Sequence, residues 1–432
     1  MSPPRTGADA LAALSERALA LQQAGRLAEA LEVFDHALAL APDRAETIFD
    51  RGVVLHDLMR HEEALASYRR VLAIAPRFEL AHYACGMALA DMNRDEEAVQ
   101  AFGAAIAIKP DYADAHVLRA FSWLRMGRFD LGWRAYEWRK ARWPSALPRL
   151  DPRTAWRGQA DLAGKTLFLH HEQGLGDSIQ FIRYARLLAS RGARTVLSVQ
   201  DALRPLLRPL FPGLDIIGES ERPARFDYHC SLLSLPLAFA TTLDSIPSPG
   251  PYLSADPARR ARVEALLGPR VRPRVGLAWS GHPNHPNDRH RSMPFAALAP
   301  LLAWDADWIA LQNDLRSRDG AAVDHVAFHR AAQTDFADTA ALVDLMDLVI
   351  TVDTSIAHLA GALGKTVVIL LPFACEWRWL RGRADSPWYA GARLVRQSRA
   401  GDWAGVVARV DGDLPSLVPG LNRFAQAFDD VG

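Results

Sequence analysis

The run Leu345-Met-Asp-Leu-Val-Ile-Thr-Val-Asp-Thr-Ser-Ile-Ala-His-Leu-Ala-Gly-Ala-Leu-Gly-Lys-Thr-Val-Val-Ile-Leu-Leu371 divides into four parts. An apolar, β-branched segment ends at Thr351, and Asp353, Thr354 and Ser355 form a polar turn. Small residues then follow a helical pattern, and Thr366–Leu371 reads as a second buried strand. This is a βαβ unit, the building block of a parallel sheet. In open parallel sheets ligands sit beyond the carboxyl ends of strands, where helix N–H groups and the helix dipole point. His358 lies about one helical turn beyond the polar turn, between Ala357 and Leu359, so it can face the same crevice. An Asp, Thr or Ser before a helix is by itself an ordinary cap, and a lone helical histidine is more often a core residue. Three small polar groups in a row exceed what one cap needs, and together with His358 they point to a binding site.

The same pattern extends outward on both sides of this unit. Upstream, Arg274-Val-Gly-Leu-Ala-Trp279 is a strand followed by the polar loop Ser280-Gly-His-Pro-Asn-His-Pro-Asn-Asp-Arg-His-Arg291. Further strands are expected near Trp308–Leu311 and Leu394–Arg396, completing one lobe over 256–432 that closes with a helix near Leu417–Phe428. A second, smaller lobe over 164–255 opens with Lys165-Thr-Leu-Phe-Leu-His170 and continues with strands at Thr195–Val199, Leu214–Ile217 and Phe226–Cys230. After its first strand comes His171-Glu-Gln-Gly-Leu-Gly-Asp177, leading to a helix from near Ser178. No Gly-Lys-Ser/Thr follows, so this is not a nucleotide P-loop. Gly174 and Gly176 let the backbone approach a ligand, and Asp177 stands at the helix start, where a plain helix cap is the competing reading.

The front of the chain is organised differently. Pro42, Pro76, Pro110 and Pro144 recur every 34 residues (76−42, 110−76, 144−110), which is the tetratricopeptide period. Twelve residues before the first three stand Ala30, Ala64 and Ala98; eight before all four stand Phe34, Tyr68, Phe102 and Tyr136. Four units follow, about 11–44, 45–78, 79–112 and 113–146, making 1–146 an α-helical solenoid. In the fourth, Gly132 replaces the usual Ala and Trp123, Trp133, Trp138 and Trp143 crowd together, which reads as packing. Residues 147–163, rich in Pro and Arg, read as a linker. A stack of helical hairpins offers a concave groove suited to a protein partner.

Composition removes several classes. The 432 residues are half hydrophobic and carry 50 Lys and Arg against 50 Asp and Glu, which does not suit a generic nucleic-acid binder. Cys85, Cys230 and Cys375 form no CxxC pair, so neither a disulfide framework nor a zinc site of that kind is indicated. No apolar run is long enough to span a bilayer, and the cytoplasm is the expected location.

Three motifs taken together carry a resemblance. Gly174-Leu-Gly-Asp177, the Ser280–Arg291 loop, and Asp353-Thr-Ser-x-x-His358-Leu-Ala-x-Ala-Leu-Gly364 resemble the heptosyltransferase-like glycosyltransferases of family 9. Those enzymes have the two-lobed GT-B fold, and the resemblance covers roughly 164–415. Tetratricopeptide repeats joined to such a domain resemble bacterial protein glycosyltransferases, flagellin-modifying ones included. The resemblance implies an inverting, metal-independent transfer of sugar from a nucleotide sugar to a hydroxyl of a protein acceptor held by the repeats. It places the base on Asp177 and diphosphate binding on Asp353, Thr354 and His358, and it sets Arg291 where the family has a phosphate-binding lysine. Ser355 stands where that family has glycine.

Donor contacts are expected from Gly174, Gly176, Ser280, Gly281, His282, Arg291, Gln312, Asp353, Thr354, Ser355, His358 and Glu376. Glu376 is placed to accept from a ribose, against an equal chance of salt-bridging to Arg378 or Arg381; Gln312 is a weaker candidate for base or ribose. Asp305-Ala-Asp307 has the Asp-x-Asp form of metal-dependent transferases but precedes its strand, so it reads as a loop, and no cofactor is expected. The alternatives are a non-catalytic adaptor whose α/β half is a degenerate nucleotide-sugar-binding domain, a transferase acting on a glycan or lipid, and a nucleotide-sugar epimerase.

Overall fold

A computed structural model describes residues 7–143, 150–247, 250–285, 287–312, 315–319, 323, 326–329 and 332–423. The chain divides into two compact units, Met1–Pro144 and Ser145–Gly432.

The first unit is helical. Helices α1 (Gly7–Gln23), α2 (Leu27–Leu40), α3 (Ala45–Asp57), α4 (His61–Ile74), α5 (Glu79–Asp91), α6 (Asp95–Ile108), α7 (Ala113–Arg125) and α8 (Phe129–Tyr136) form four hairpins, and the short α9 (Arg139–Arg142) follows. The 34-residue pattern has a steric cause. Ala30, Ala64 and Ala98 are fully buried, as are Phe34, Tyr68, Phe102 and Tyr136 to within a few per cent. A Cβ on Gly52 would lie 2.5 Å from the Tyr68 ring, and one on Gly86 2.5 Å from the Phe102 ring, so the aromatic of one helix needs a bare backbone on its neighbour. At Gly132 the neighbour is Leu124, at 2.5 Å. Of the tryptophans, Trp133 is buried, Trp138 stacks on His116 at 4.0 Å, and Trp123 lies under the Arg119 guanidinium.

The second unit holds two parallel sheets. One runs β3-β2-β1-β4, built from β1 (Thr166–His170), β2 (Arg194–Ser198), β3 (Leu214–Ile217) and β4 (Tyr228–Ser231). The other runs β6-β5-β7-β8-β9, from β5 (Arg274–Ala278), β6 (Asp307–Ala310), β7 (Leu348–Val352), β8 (Val367–Leu371) and β9 (Ala392–Arg396). Strands β5, β7 and β8 are buried at every position, as continuous apolar runs covered on both faces require. Helices α10 (Leu175–Phe181), α11 (Ala185–Ala189), α12 (Arg204–Leu210) and α13 (Leu235–Ala238) accompany the first sheet. Helices α14 (Pro257–Leu267), α15 (Asp288–Arg291), α16 (Phe336–Asp344), α17 (Ser355–Ala362) and α18 (Trp403–Leu417) accompany the second.

Both strand orders reverse once. From β1 the chain moves to β2 on one side, while β4 pairs on the other; from β5 it moves to β6, while β7 pairs on the other side. Loops leaving adjacent strands in opposite directions open a crevice at each such point. The Gly174–Asp177 turn follows β1, and the Ser280 and Asp353 turns follow β5 and β7, so all three motifs sit at the two reversal points.

Three boundaries differ from the sequence reading. Residues 151–163 belong to the α/β unit: Trp156 and Leu162 are buried, and the Trp156 amide donates to the His229 carbonyl at 2.8 Å. Helix α10 starts at Leu175, three residues earlier than expected, because the Asp177 side chain folds back to cap it. The closing helix is Trp403–Leu417, whose Val406, Val407, Val410 and Leu414 enter the core of the second sheet. Residues 418–423 are not helical, and the rest of the expected 417–428 helix lies outside the described residues.

Candidate functional site

The two crevice edges meet at Arg378. This arginine follows β8 in Cys375-Glu-Trp-Arg-Trp379 and is almost fully buried. Its Nη2 pairs with Asp177 Oδ1 on the other lobe, and its Nε donates to Gln180 Oε1 on α10 at 2.7 Å. Its Nη1 donates to Glu376 Oε1 at 2.5 Å, and its backbone N–H donates to Glu376 Oε2 at 2.9 Å. The salt bridge considered from sequence for Glu376 is therefore made, with Arg378. No motif marked Arg378; the signal available was a charged residue flanked by two tryptophans just past a carboxyl strand end.

Asp177 is occupied on both oxygens. Oδ2 accepts from the Gly174 N–H at 2.8 Å, closing a helix cap, while Oδ1 holds Arg378. One side chain thus both caps α10 and reaches the other lobe. Gly176 has a different role from the one expected. A Cβ there would stand 2.7 Å from His358 Cδ2 and 3.4 Å from the Ser355 Cα, so the missing side chain lets α10 close on α17.

The histidine is buried. His358 Nδ1 and Tyr389 Oη are 2.8 Å apart, and the ring stacks on Trp379 with centroids 5.3 Å apart. Burial, with Arg378, Arg183 and Arg291 adding to it, holds its pKa well below the ordinary 6.5, so it is neutral near pH 7. Burial likewise keeps Tyr389 protonated.

Arg291 is aimed by the polar turn. Its Nη1 donates to the Asp353 carbonyl at 3.0 Å, and its guanidinium lies flat against Gly281, where a Cβ would meet Nη2 at 2.6 Å. The Asp353 carboxyl is buried; that burial pushes its pKa up, opposed by Arg291. Burial also pushes Glu376 up to about 7, with Arg378 opposing and Asp353 adding to the rise. Thr354 does what a cap does: Oγ1 accepts from the Ile356 N–H at 3.3 Å at the head of α17, where Ser355 is the first helical residue.

The Ser280–Arg291 loop is held from beneath. Gln312 Oε1 accepts from the Trp279 and Ser280 amides at 2.8 and 3.0 Å, and its Nε2 donates to Ser280 Oγ at 2.9 Å. That carboxamide shapes the loop from beneath. Gly281 N–H donates to Ser292 Oγ, and its carbonyl accepts from Arg316, which also pairs with Asp288 at 2.7 Å. His282 is exposed and its Nδ1 accepts from the Asn284 amide at 3.3 Å. Asp305 pairs with Arg272 at 2.7 Å, and Asp307 begins β6, at the end of the sheet away from the crevice.

A second arginine joins the lobes. Arg183 donates to the Trp388 carbonyl at 2.8 Å and to Tyr252 Oη at 3.0 Å, among the rings of Tyr252, Trp388 and Tyr389. Tyr252 Oη in turn donates to the Ile179 carbonyl at 2.9 Å.

Residues 9–77 and 81–112 match tetratricopeptide repeat models. Residues 315–371, which include the Asp353–His358 turn, match the model of Glycosyltransferase family 9 (heptosyltransferase). Protein FlbA of Caulobacter vibrioides is 30% identical over 328 residues, 68% of this chain and 53% of that protein. The chain thus spans about half the length of that curated relative. Among solved structures, MamA from Desulfovibrio magneticus RS-1 shares 26% identity at a TM-score of 0.28, over 30% of this chain and 72% of that one. A tetratricopeptide repeat protein from Parabacteroides merdae shares 21% at a TM-score of 0.30, over 32% and 53%. The chain joins tetratricopeptide repeats to a two-sheet α/β unit similar to glycosyltransferase family 9. Among the described residues, no helix is long and apolar enough to cross a membrane.

Proposed function

We propose that the α/β unit is an inverting, metal-independent glycosyltransferase that moves a sugar from a nucleotide sugar to a hydroxyl of a protein acceptor recruited by the repeats. The observation that supports this most is the facing of Asp177, at one reversal point, by Arg291, His358 and the head of α17 at the other. The acceptor oxygen attacks the anomeric carbon, its proton passes to the Asp177 carboxylate, and the bond from that carbon to the diphosphate breaks. The electron pair leaves with the nucleoside diphosphate. Its charge is met by Arg291, by the α17 N-terminus and by Arg378, which changes partner from Asp177 to phosphate. With Tyr389 Oη donating to Nδ1, His358 presents an Nε2–H as a neutral donor. Asp353 supports the site through its carbonyl, which aims Arg291. A flagellin-type acceptor follows from the resemblance of repeats joined to such a domain.

The test begins with thermal shifts over UDP-, GDP-, ADP- and CMP-sugars, in which at least one raises the melting temperature. With that donor, Asp177→Asn keeps the shift and loses turnover. Retained turnover removes the base assignment, and no shift with any donor removes the proposed function.

A further inference from the structure

Aligning the repeats by their period isolates one cluster in the helical unit. Gln22, His56 and Ala90 occupy equivalent positions, as do Asp57, Asp91 and Arg125, and as do Leu27, His61, Asp95 and Phe129. The first and second repeats are tied by Gln22 Nε2 donating to Asp57 Oδ2 at 3.3 Å. The third and fourth are tied by Arg125 and Asp95 at 2.7 Å. Only between the second and third do both positions converge on one carboxylate. His56 Nε2 lies 2.9 Å from Asp91 Oδ2, the His56 and His61 rings meet edge to face with centroids 4.8 Å apart, and one ligand atom from each of the three residues lies within 4.8 Å of the others.

We propose that His56, His61 and Asp91 form a divalent-metal site, with Zn²⁺ as the fitting ion, that staples the second repeat to the third. Two imidazoles and a carboxylate are the nitrogen and oxygen donors a borderline divalent ion takes. Ion-to-ligand bonds of about 2.0–2.1 Å put tetrahedral ligands about 3.3 Å apart, so small side-chain rotations bring all three atoms onto one ion. The nearby cation does not compete, because Arg125 is held by Asp95 and by Ser122 Oγ. Asp91 is 41% exposed and His56 18%, which leaves an entry path and a fourth position for water. The three residues come from the ends of α3 and α5 and the start of α4, so an ion would fix the turn of one hairpin to the turn of the next.

The repeats supply their own control substitutions. His61→Leu and His56→Gln install residues the first repeat carries at those positions, so the fold is kept. The experiment titrates untagged, metal-stripped full chain with Zn²⁺ and, separately, with Co²⁺. The expected result is one Zn²⁺ per chain with a raised melting temperature and tetrahedral visible bands from Co²⁺. His61→Leu and Asp91→Asn should each weaken binding at least tenfold and remove the bands. Equal binding in those variants places the ion elsewhere and overturns the proposal, as does no binding by the parent chain.

Discussion

Replacing Arg378 with Met tests how much this buried cation contributes to holding the two lobes together. The substitution keeps most of the stem and removes three contacts: the Asp177 pair, the bond to Gln180 at 2.7 Å and the bond to Glu376 at 2.5 Å. Removing one partner of a buried charge pair costs about 3–5 kcal/mol, mainly because the other charge is left behind. Here the abandoned side chains are Asp177, 15% exposed, and Glu376, 29% exposed, so both regain some water. The lower end, about 3 kcal/mol, is the expected loss for the α/β unit. An exposed pair would give about 0–1 kcal/mol. Equilibrium urea unfolding followed by tryptophan emission reads this directly, since the guanidinium lies 4.2 Å above the Trp377 ring. A double-mutant cycle with Asp177→Asn isolates the pair, with an expected coupling of about 1.5–3 kcal/mol. A single-variant cost below about 1 kcal/mol, or costs that simply add, would refute the reasoning.

Three further outcomes follow from the same site. Gly176→Ala drives a methyl to 2.7 Å from the His358 ring and should cost about 1–3 kcal/mol by overpacking; a neutral effect in urea would mean the lobes do not close on each other there. Glu376, raised to about 7, binds its proton more tightly folded than unfolded, so its stabilising contribution is complete at low pH and is lost as pH rises through about 7. The same protonation removes a negative charge from the crevice. A nucleotide sugar should therefore bind more tightly at pH 6 than at pH 8, and Glu376→Gln should flatten that dependence in titration calorimetry. His358, depressed well below 6.5, does the opposite: its contribution is present above pH 6.5 and is lost as pH falls, because the unfolded chain takes up the proton. His358→Gln should make the fall in stability on the acid side shallower, and an unchanged profile would exclude this residue as its source.

Much of the fold was legible because it rests on periodic sequence. The 34-residue recurrence reflects aromatic rings seated on glycine, and the strands among the described residues reflect apolar runs bounded by turns. The three crevice motifs were found for the same reason, since each follows a strand directly. What escaped was set by contacts distant in sequence. Arg378 meets Asp177 and Gln180 about two hundred residues away, and Arg183 meets Trp388 across a similar span. Gln312 lies at a strand end like a ligand residue, but its amide goes to the neighbouring strand's loop, which a single chain reading does not reveal. Residue type was informative where a backbone position needs it and uninformative where only the partner gives it meaning. Gly176 is the instructive mixture: the need for glycine was readable, and its reason was not.

Arg183 fixes one corner of the seam between the lobes. Its cation is enclosed by three rings and three carbonyls at one corner of the interlobe seam, so pulling it free means exposing aromatic surface and abandoning bonds at 2.8 and 3.0 Å. The Arg378 ion pair lies about two helical turns away along the same helical stretch, where the guanidinium meets the Asp177 and Glu376 carboxylates and the Gln180 amide and sits over the Trp377 and Phe181 rings. The seam between the lobes is therefore fastened at two corners, and parting it at either one exposes aromatic surface.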